Sequence, residues 1–305
     1  MSNEIQNPTV KPPGTTVRVP GTTSNLGPGF DTLGIALTLY NQVTVSPLPE
    51  GTVHITSPIS EDARPGATSM LTQAADHFFR LAGQPSFGFE IGIQGGVPLA
   101  RGLGSSVTAR LGCVAALNRL TGDPLSKSSL LDLVNELEGH PDNATPAVYG
   151  GFTAAGLVRG SVRCIRFPVD TRLKFVTLIP DFEISTPAAR KLVPNQFSKQ
   201  DAVHSLNRTA LITAAFASGN YESLRGCFDD RIHQPYRESL LPQLSAVIRS
   251  AEEAGAIGGW LSGSGSTIIC ITGDDPEPIR QAMLSHLPSA SVKILTADDS
   301  GLTYL

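Results

Sequence analysis

The chain is poor in charge, and the charge it has is weakly acidic. Of 305 residues, 16% are Asp, Glu, Lys or Arg, and the formal net charge is −4. That argues against a nucleic-acid surface and predicts that anionic ligands are met by a few placed cations. No apolar run approaches the roughly 20 residues of a membrane span. The start, Met1-Ser-Asn-Glu-Ile-Gln-Asn-Pro8, has neither a basic region nor an apolar core. No signal peptide is read there, and a cytoplasmic protein is expected. Cysteine is scarce: Cys113, Cys164, Cys227 and Cys270 are widely spaced, with no Cys-x-x-Cys pair. That argues against zinc and redox chemistry and for buried reduced thiols. The six histidines show no His-x-x-x-His spacing, and only His140 lies in a motif that suggests chemistry.

Hydrophobic residues make up 40% of the chain, ample for a sizeable core of one large or two smaller domains. A mobile, proline-containing leader is expected over about the first dozen residues, and no other long tail. Thirty glycines and 23 prolines predict many tight turns. The most informative of these is Pro98-Leu-Ala-Arg-Gly-Leu-Gly-Ser-Ser-Val-Thr108. Upstream, Gly88 to Ile93 reads as a strand. Downstream, Ser105 to Leu120 reads as a helix, with Val107, Leu111, Val114 and Leu117 in one apolar stripe. A helix start offers free backbone N–H groups and the positive end of the dipole to an anion. Gly102 and Gly104 let a phosphate approach the backbone, and the serine hydroxyls can cap the helix, bond a phosphate or ligate magnesium. The plain alternative is a glycine turn with a serine cap. Neither the Walker A lysine nor the third glycine of a dinucleotide fingerprint is present.

In chain order, Thr16 to Pro20 reads as a short strand. It leads into Gly21-Thr-Thr-Ser-Asn-Leu-Gly-Pro-Gly-Phe-Asp-Thr-Leu-Gly34, whose glycines and proline forbid a regular helix. Ser24, Asn25 and Asp31 make it resemble a binding loop more than a linker. Leu37–Val45 and Val53–Ile55 alternate apolar and polar residues and suggest a hairpin. Met70–Leu81 and Ser126–Glu138 are helical, the second ending at Gly139, a C-cap. An acid, a histidine, an acid and an amide then crowd into Glu138-Gly-His-Pro-Asp-Asn143, either as a solvated turn or as the carboxylate site that a magnesium-dependent kinase would need.

Strands are expected at Val162–Val169 and Lys174–Ile179, with a domain boundary near Val169. Helices follow at Thr186–Leu192, at Ala202–Ala217 with Val203, Leu206, Ala210 and Ala214 inward, and at Leu240–Ala251. The stretch Gly255 to Thr267 reads as a flexible, donor-rich loop joining helix to strand Ile268–Ile271. Glu277–His286 and Val292–Leu295 give a last helix and strand.

Three glycine-rich loops in this order resemble the GHMP kinase superfamily. Pro98-x-x-Arg-Gly-Leu-Gly-Ser-Ser106 is similar to its signature loop, Asn25-Leu-Gly-Pro-Gly-Phe-Asp31 to its first motif, and Leu261-Ser-Gly-Ser-Gly-Ser-Thr267 to its third. The first motif followed by His-Pro-Asp-Asn143 resembles the homoserine kinases within it. The resemblance implies an α+β fold, with an N-terminal domain like ribosomal protein S5 domain 2 over 1–169 and a ferredoxin-like C-terminal domain over 170–305. It implies a phosphate cradle of Pro98, Leu99, Ala100, Arg101, Gly102, Leu103, Gly104, Ser105 and Ser106 for ATP, with Mg²⁺ held by Ser106 and Glu138. It further implies a small substrate, L-homoserine, among Asn25, Asp31, His140, Asn143, Thr186, Arg190 and Arg237. Asn143, Ser106 and Glu138 would carry the chemistry. Asp31 suits an ammonium, and the arginines suit a carboxylate.

Three departures from the pattern are visible. Val107-Thr108 replaces small residues, Ser69-Met70-Leu71 stands where the family carries an adenine-side Asn-Leu-Val, and Ser266 replaces a proline. The last is expected to loosen its loop slightly, and Asp142 is expected to point away from Asn143. No nucleic-acid or membrane partner is expected, and a homodimer is compatible. The competing functions are a superfamily kinase or decarboxylase acting on another small hydroxy acid, and a sensor that kept the fold without the chemistry.

Overall fold

The computed structural model describes residues 14–48 and 51–305, so the expected leader at the start lies outside the described residues. Strand β1 (Thr15–Ser24) runs antiparallel to β2 (Leu33–Leu48). The chain continues through β3 (Val53–Ile55), helix α1 (Arg64–Ala82) and β4 (Gly88–Gly95). Helices α2 (Ser105–Leu120), α3 (Lys127–Glu138) and α4 (Ala144–Tyr149) come next, then the hairpin β5 (Phe152–Val158) and β6 (Ser161–Phe167). The second half holds β7 (Lys174–Ile179), α5 (Thr186–Lys191), α6 (Lys199–Ser218), α7 (Gln234–Arg237) and α8 (Leu244–Glu253). It closes with β8 (Gly258–Leu261), β9 (Ile268–Thr272), α9 (Glu277–His286), β10 (Ser291–Leu295) and β11 (Thr303–Tyr304).

Two sheets result. The seven-stranded one has the order β11-β1-β2-β4-β3, with β5 pairing β2 and β6. The four-stranded one has the order β10-β7-β9-β8, the antiparallel arrangement of a ferredoxin-like unit. The α+β expectation therefore holds. One apolar core lies between the first sheet and helices α1 to α4. A second lies among β7, β9, α8 and α9. A third, with Leu33, Ile35, Leu37, Phe152, Phe175, Phe216 and Trp260, joins the two sheets. The last residues return to the first sheet, where Thr38 N donates to Thr296 O and Val17 pairs with Tyr304. Among the described residues no helix is long and apolar enough to cross a membrane. The four cysteines are free, and all but half-buried Cys164 are buried.

Local chemistry explains the helix ends. Ser126 caps α3 by accepting from Ser129 N at 3.1 Å, and Gly139 closes the helix at φ 83°. Helix α2 runs over the residues read from sequence, but it is buried nearly all round instead of along one stripe. It is the central helix, lying on β1 and β2 and flanked by α1 and α3.

Three expectations fail for tertiary reasons. The β2–β3 hairpin does not form: β3 pairs parallel with β4, Val53 opposite Phe89, and β4 separates it from β2. Helix α1 makes the crossover that a parallel pair requires. Val203, Leu206, Ala210 and Ala214 of α6 do not face inward, and Leu206 is 68% exposed. The buried face is instead partly polar: Ser205 donates to Asp230 and Thr209 to Pro28 O, beside Ile212 and Phe216. The stretch before Thr267 is not all loop, because Gly258-Gly-Trp-Leu261 is the fully buried strand β8. Its glycines reflect crowding. A Cβ on Gly258 would sit 2.4 Å from the Phe228 ring, and one on Gly259 2.5 Å from Cys270 Sγ.

Candidate active site

A cleft open to solvent lies where the three glycine-rich loops meet. The first loop leaves β1 through Asn25, Leu26 and Gly27 and returns at Asp31, all at positive φ. Asn25 holds the turn together, accepting from Asp31 N at 3.0 Å and donating to Gly263 O at 3.0 Å. The sequence thus places a conformationally costly turn where a binding loop is needed.

The second loop reaches α2 through Gly104 at φ 70°, and no side chain caps the helix. Its first-turn N–H groups therefore face the cleft without an internal side-chain acceptor, the condition for anion binding. Ala100, Gly102, Gly104, Ser105 and Ser106 line the cleft. Pro98, Leu99, Arg101 and Leu103 are outside its lining: Leu99 is exposed, and Leu103 is buried under Thr22. Arg101 turns to the 180–183 segment, donating to Pro180 O and Asp181 O.

The third loop is Ser262–Thr267. Ser262 Oγ donates to Gly102 O at 2.6 Å, so the second and third loops are bonded together. Ser266 does not loosen the loop. It is buried, its hydroxyl donates to Phe182 O at 2.7 Å, and Thr267 N bonds Arg101 O.

Ser106 at the start of α2 donates to Glu138 Oε2 at the end of α3, 3.1 Å away. Two hard oxygen donors at the mouth of an anion site fit a magnesium ion. Arg110, one helical turn beyond Ser106, contacts Glu138 Oε1. Nothing in the loop motif pointed to Arg110; only its i,i+4 spacing from Ser106 on α2 could have.

His140 Nδ1 lies 2.6 Å from Asp142 Oδ1, which also accepts from Asn143 N at 2.9 Å. Asp142 does not point away from Asn143, because both side chains line the same cleft. The buried turn leaves polar groups no solvent to turn to, so they bond each other. Asn143 is held on both sides, its Oδ1 accepting from Thr22 and its Nδ2 donating to Ser24. Burial pushes the Asp142 carboxyl up, but the hydrogen bond and charge of His140, with help from Ser24 and Arg190, bring it below the usual range. Burial likewise lowers His140, and Asp142 more than offsets it, so the imidazole pKa is raised. The two shifts agree in describing an imidazolium–carboxylate pair.

Arg190 grips Asp31 with two bonds of 2.6 and 3.0 Å, and this pairing raises its pKa against the pull of burial. Asp31, His140 and Asp142 bring ligand atoms within 4.8 Å of one another. Thr186 meets Ser264 across the cleft rim at 3.1 Å. Arg237 is only 2% exposed, and burial followed by the like charge of Arg190 lowers its pKa to about 10, so it stays cationic near neutral pH. Between the two arginines lies Phe30, its ring centroid 5.4 Å from one guanidinium and 5.3 Å from the other. Sequence reading missed Phe30, although it sits inside the first motif.

A glycine-lined anion site facing two arginines across a cleft between these two sheets defines a small-molecule kinase of the GHMP superfamily. The family model for the GHMP kinases N terminal domain matches residues 69–151, and that for the GHMP kinases C terminal matches 212–289. The chain is 42% identical to a homoserine kinase of Synechococcus sp., covering 93% of this chain and 96% of that one. It is 38% identical to one of Caldicellulosiruptor bescii over 94% and 95%. In structure it resembles homoserine kinase from Cytophaga hutchinsonii, with a TM-score of 0.86, 26% identity and 99% of this chain covered. The chain belongs to the homoserine kinase family.

Proposed function

We propose that the protein transfers the γ-phosphoryl group of ATP to the side-chain hydroxyl of L-homoserine, giving O-phospho-L-homoserine on the route to threonine. The observation that carries this reading is one cleft in which an uncapped helix start and the Ser106–Glu138 pair face Asp31, Arg190 and Arg237. The 98–106 loop wraps the phosphates through its cleft-lining residues, Ala100, Gly102, Gly104, Ser105 and Ser106. Ser106 and Glu138 hold Mg²⁺, which when bound offsets charge on the phosphate oxygens. Arg190 and Arg237 take the substrate carboxylate and Asp31 its ammonium, while His140 and Thr186 line the pocket around the substrate. Asn25 shapes the loop beneath.

Asn143 orients the attacking hydroxyl, held for that by Thr22 and Ser24. An amide is no base near neutral pH, and Asp142, paired with His140 and drawn below the usual range, is a weak one. Phosphoryl transfer needs little nucleophile activation, so positioning and charge carry the acceleration, and the hydroxyl proton leaves late, to solvent or a phosphate oxygen. The same reading makes this a cytoplasmic enzyme divided at about 169/170, with a small-molecule substrate; sedimentation tests whether it is a homodimer.

The bidentate Arg190–Asp31 pair supports a second reading, a substrate without an ammonium, because Asp31 already has a cation. An ADP-release screen over homoserine, threonine, serine, mevalonate and galactose separates the two. Homoserine should dominate, with Asp31→Asn strongly impaired. Preference for mevalonate with a mild Asp31→Asn would overturn the first reading.

A further inference from the structure

His233, at the N-terminal boundary of α7, is completely buried and was not among the residues that the sequence motifs singled out. Its ring sits at the junction of everything that shapes the amino-acid end of the cleft. Nε2 lies 2.8 Å from Gly27 O in the first loop. Nδ1 lies 3.1 Å from Arg237 Nη1, which also donates to Gly263 O in the third loop at 2.9 Å. The ring stacks on Phe30 at 5.0 Å and 22°, on the platform that both arginines share.

The bonding sets the tautomer. A guanidinium only donates, so Nδ1 must accept; a carbonyl only accepts, so Nε2 must carry the proton. Burial lowers the pKa of His233 to about 4 against the opposing charge of Asp230, which leaves the ring neutral and the Nδ1 lone pair available. Asp230 anchors the segment, accepting from the backbone N–H groups of Ile232, His233 and Gln234. Arg237 has few other restraints, and its Nε is buried with no partner.

We propose that His233 is a positioning residue: through its Nδ1 it fixes the guanidinium of Arg237 against the cleft, and through its Nε2 it sets that guanidinium in register with the first loop. The inference rests on the reading of Arg237 as a carboxylate-binding group. It assigns selectivity for an α-carboxylate to a histidine that never touches the substrate.

Two substitutions separate the ring's two bonds. His233→Gln can still donate to Gly27 O but offers no acceptor at the Nδ1 position; His233→Asn offers that acceptor and gives up the tie to Gly27. The measurements are KM for L-homoserine, KM for ATP, and the kcat/KM preference for L-homoserine over 3-aminopropanol, which lacks the carboxylate. His233→Gln should raise the homoserine KM and lower the preference roughly tenfold, the effect of losing a hydrogen bond to a charged group. Its ATP KM should stay within about twofold of wild type, and His233→Asn should recover the preference. Wild-type homoserine KM and preference in a folded His233→Gln would overturn the inference. So would parallel loss of both substrates' KM values along with thermal stability, which marks a purely structural role. If the wild-type protein itself shows no preference for homoserine over 3-aminopropanol, the carboxylate reading of the site falls, and this inference with it.

Discussion

Replacing Gly102 with alanine tests whether the loops are as tightly joined as the structure requires. Gly102 has φ 74°, and an added Cβ would lie 2.1 Å from Ser262 O and 3.0 Å from both N and O of Gly265. All three atoms are backbone, so no side-chain rotation relieves the overlap. The left-handed backbone costs about 1–2 kcal/mol for a residue with a Cβ, and forced overpacking adds about 1–3 kcal/mol. The expected destabilisation is therefore roughly 2–5 kcal/mol, and the third loop must move away from the phosphate loop. Gly83 supplies the control: it has φ 63° and nothing within 4 Å of its added Cβ, so Gly83→Ala should lose only the backbone part, about 1–2 kcal/mol. Urea unfolding of the two variants gives the difference, and the ATP KM should rise in Gly102→Ala alone. Equal destabilisation of both, with unchanged ATP KM, would refute the reasoning.

Glu138→Gln should keep the fold and lose most turnover, because a neutral amide holds a divalent cation less well; full activity at limiting magnesium would remove Glu138 from the metal site. Asn143→Ala should be severely impaired, while Asp142→Asn should retain most activity if folded. A folded Asp142→Asn that binds ATP normally, is inactive, and regains rate with added small-molecule bases would make Asp142 the base. The His140–Asp142 pair also has a pH signature. The raised His140 pKa contributes stability that is complete below the ordinary 6.5 and fades as pH climbs through the folded value. The lowered Asp142 pKa contributes stability that is complete above the ordinary 3.8 and fades as pH falls through its folded value. The unfolding free-energy gap between wild type and His140→Gln should therefore narrow from about pH 6 towards pH 9. A constant gap across that range would contradict the ion pair.

Much of this site was legible in the sequence because its parts are local. A serine cap and a left-handed glycine define α3 by contacts within a few residues, and they put Glu138 at its end. The glycines of the second loop can only be accommodated in a turn, and the two serines open the helix where a free N–H cluster is needed. Those features depend on backbone conformations that particular residue types favour, so a single chain read in order reveals them.

Tertiary packing decided the rest. β3 chose β4 over its neighbour in sequence because α1 carried the chain across, which alternation alone does not encode. The polar side of α6 turned inward because it could bond Pro28 O and Asp230, and its leucines, Leu206 and Leu211, faced solvent. The sequence supplied Asp31, Arg190, Phe30, His233 and Arg237 as separate residues up to 207 positions apart, from Phe30 to Arg237. Only the fold made them one network, with Arg190 on Asp31 and His233 between Gly27 and Arg237. Such partnerships depend on distances between distant segments, and those distances exist only once both sheets have packed against their shared core.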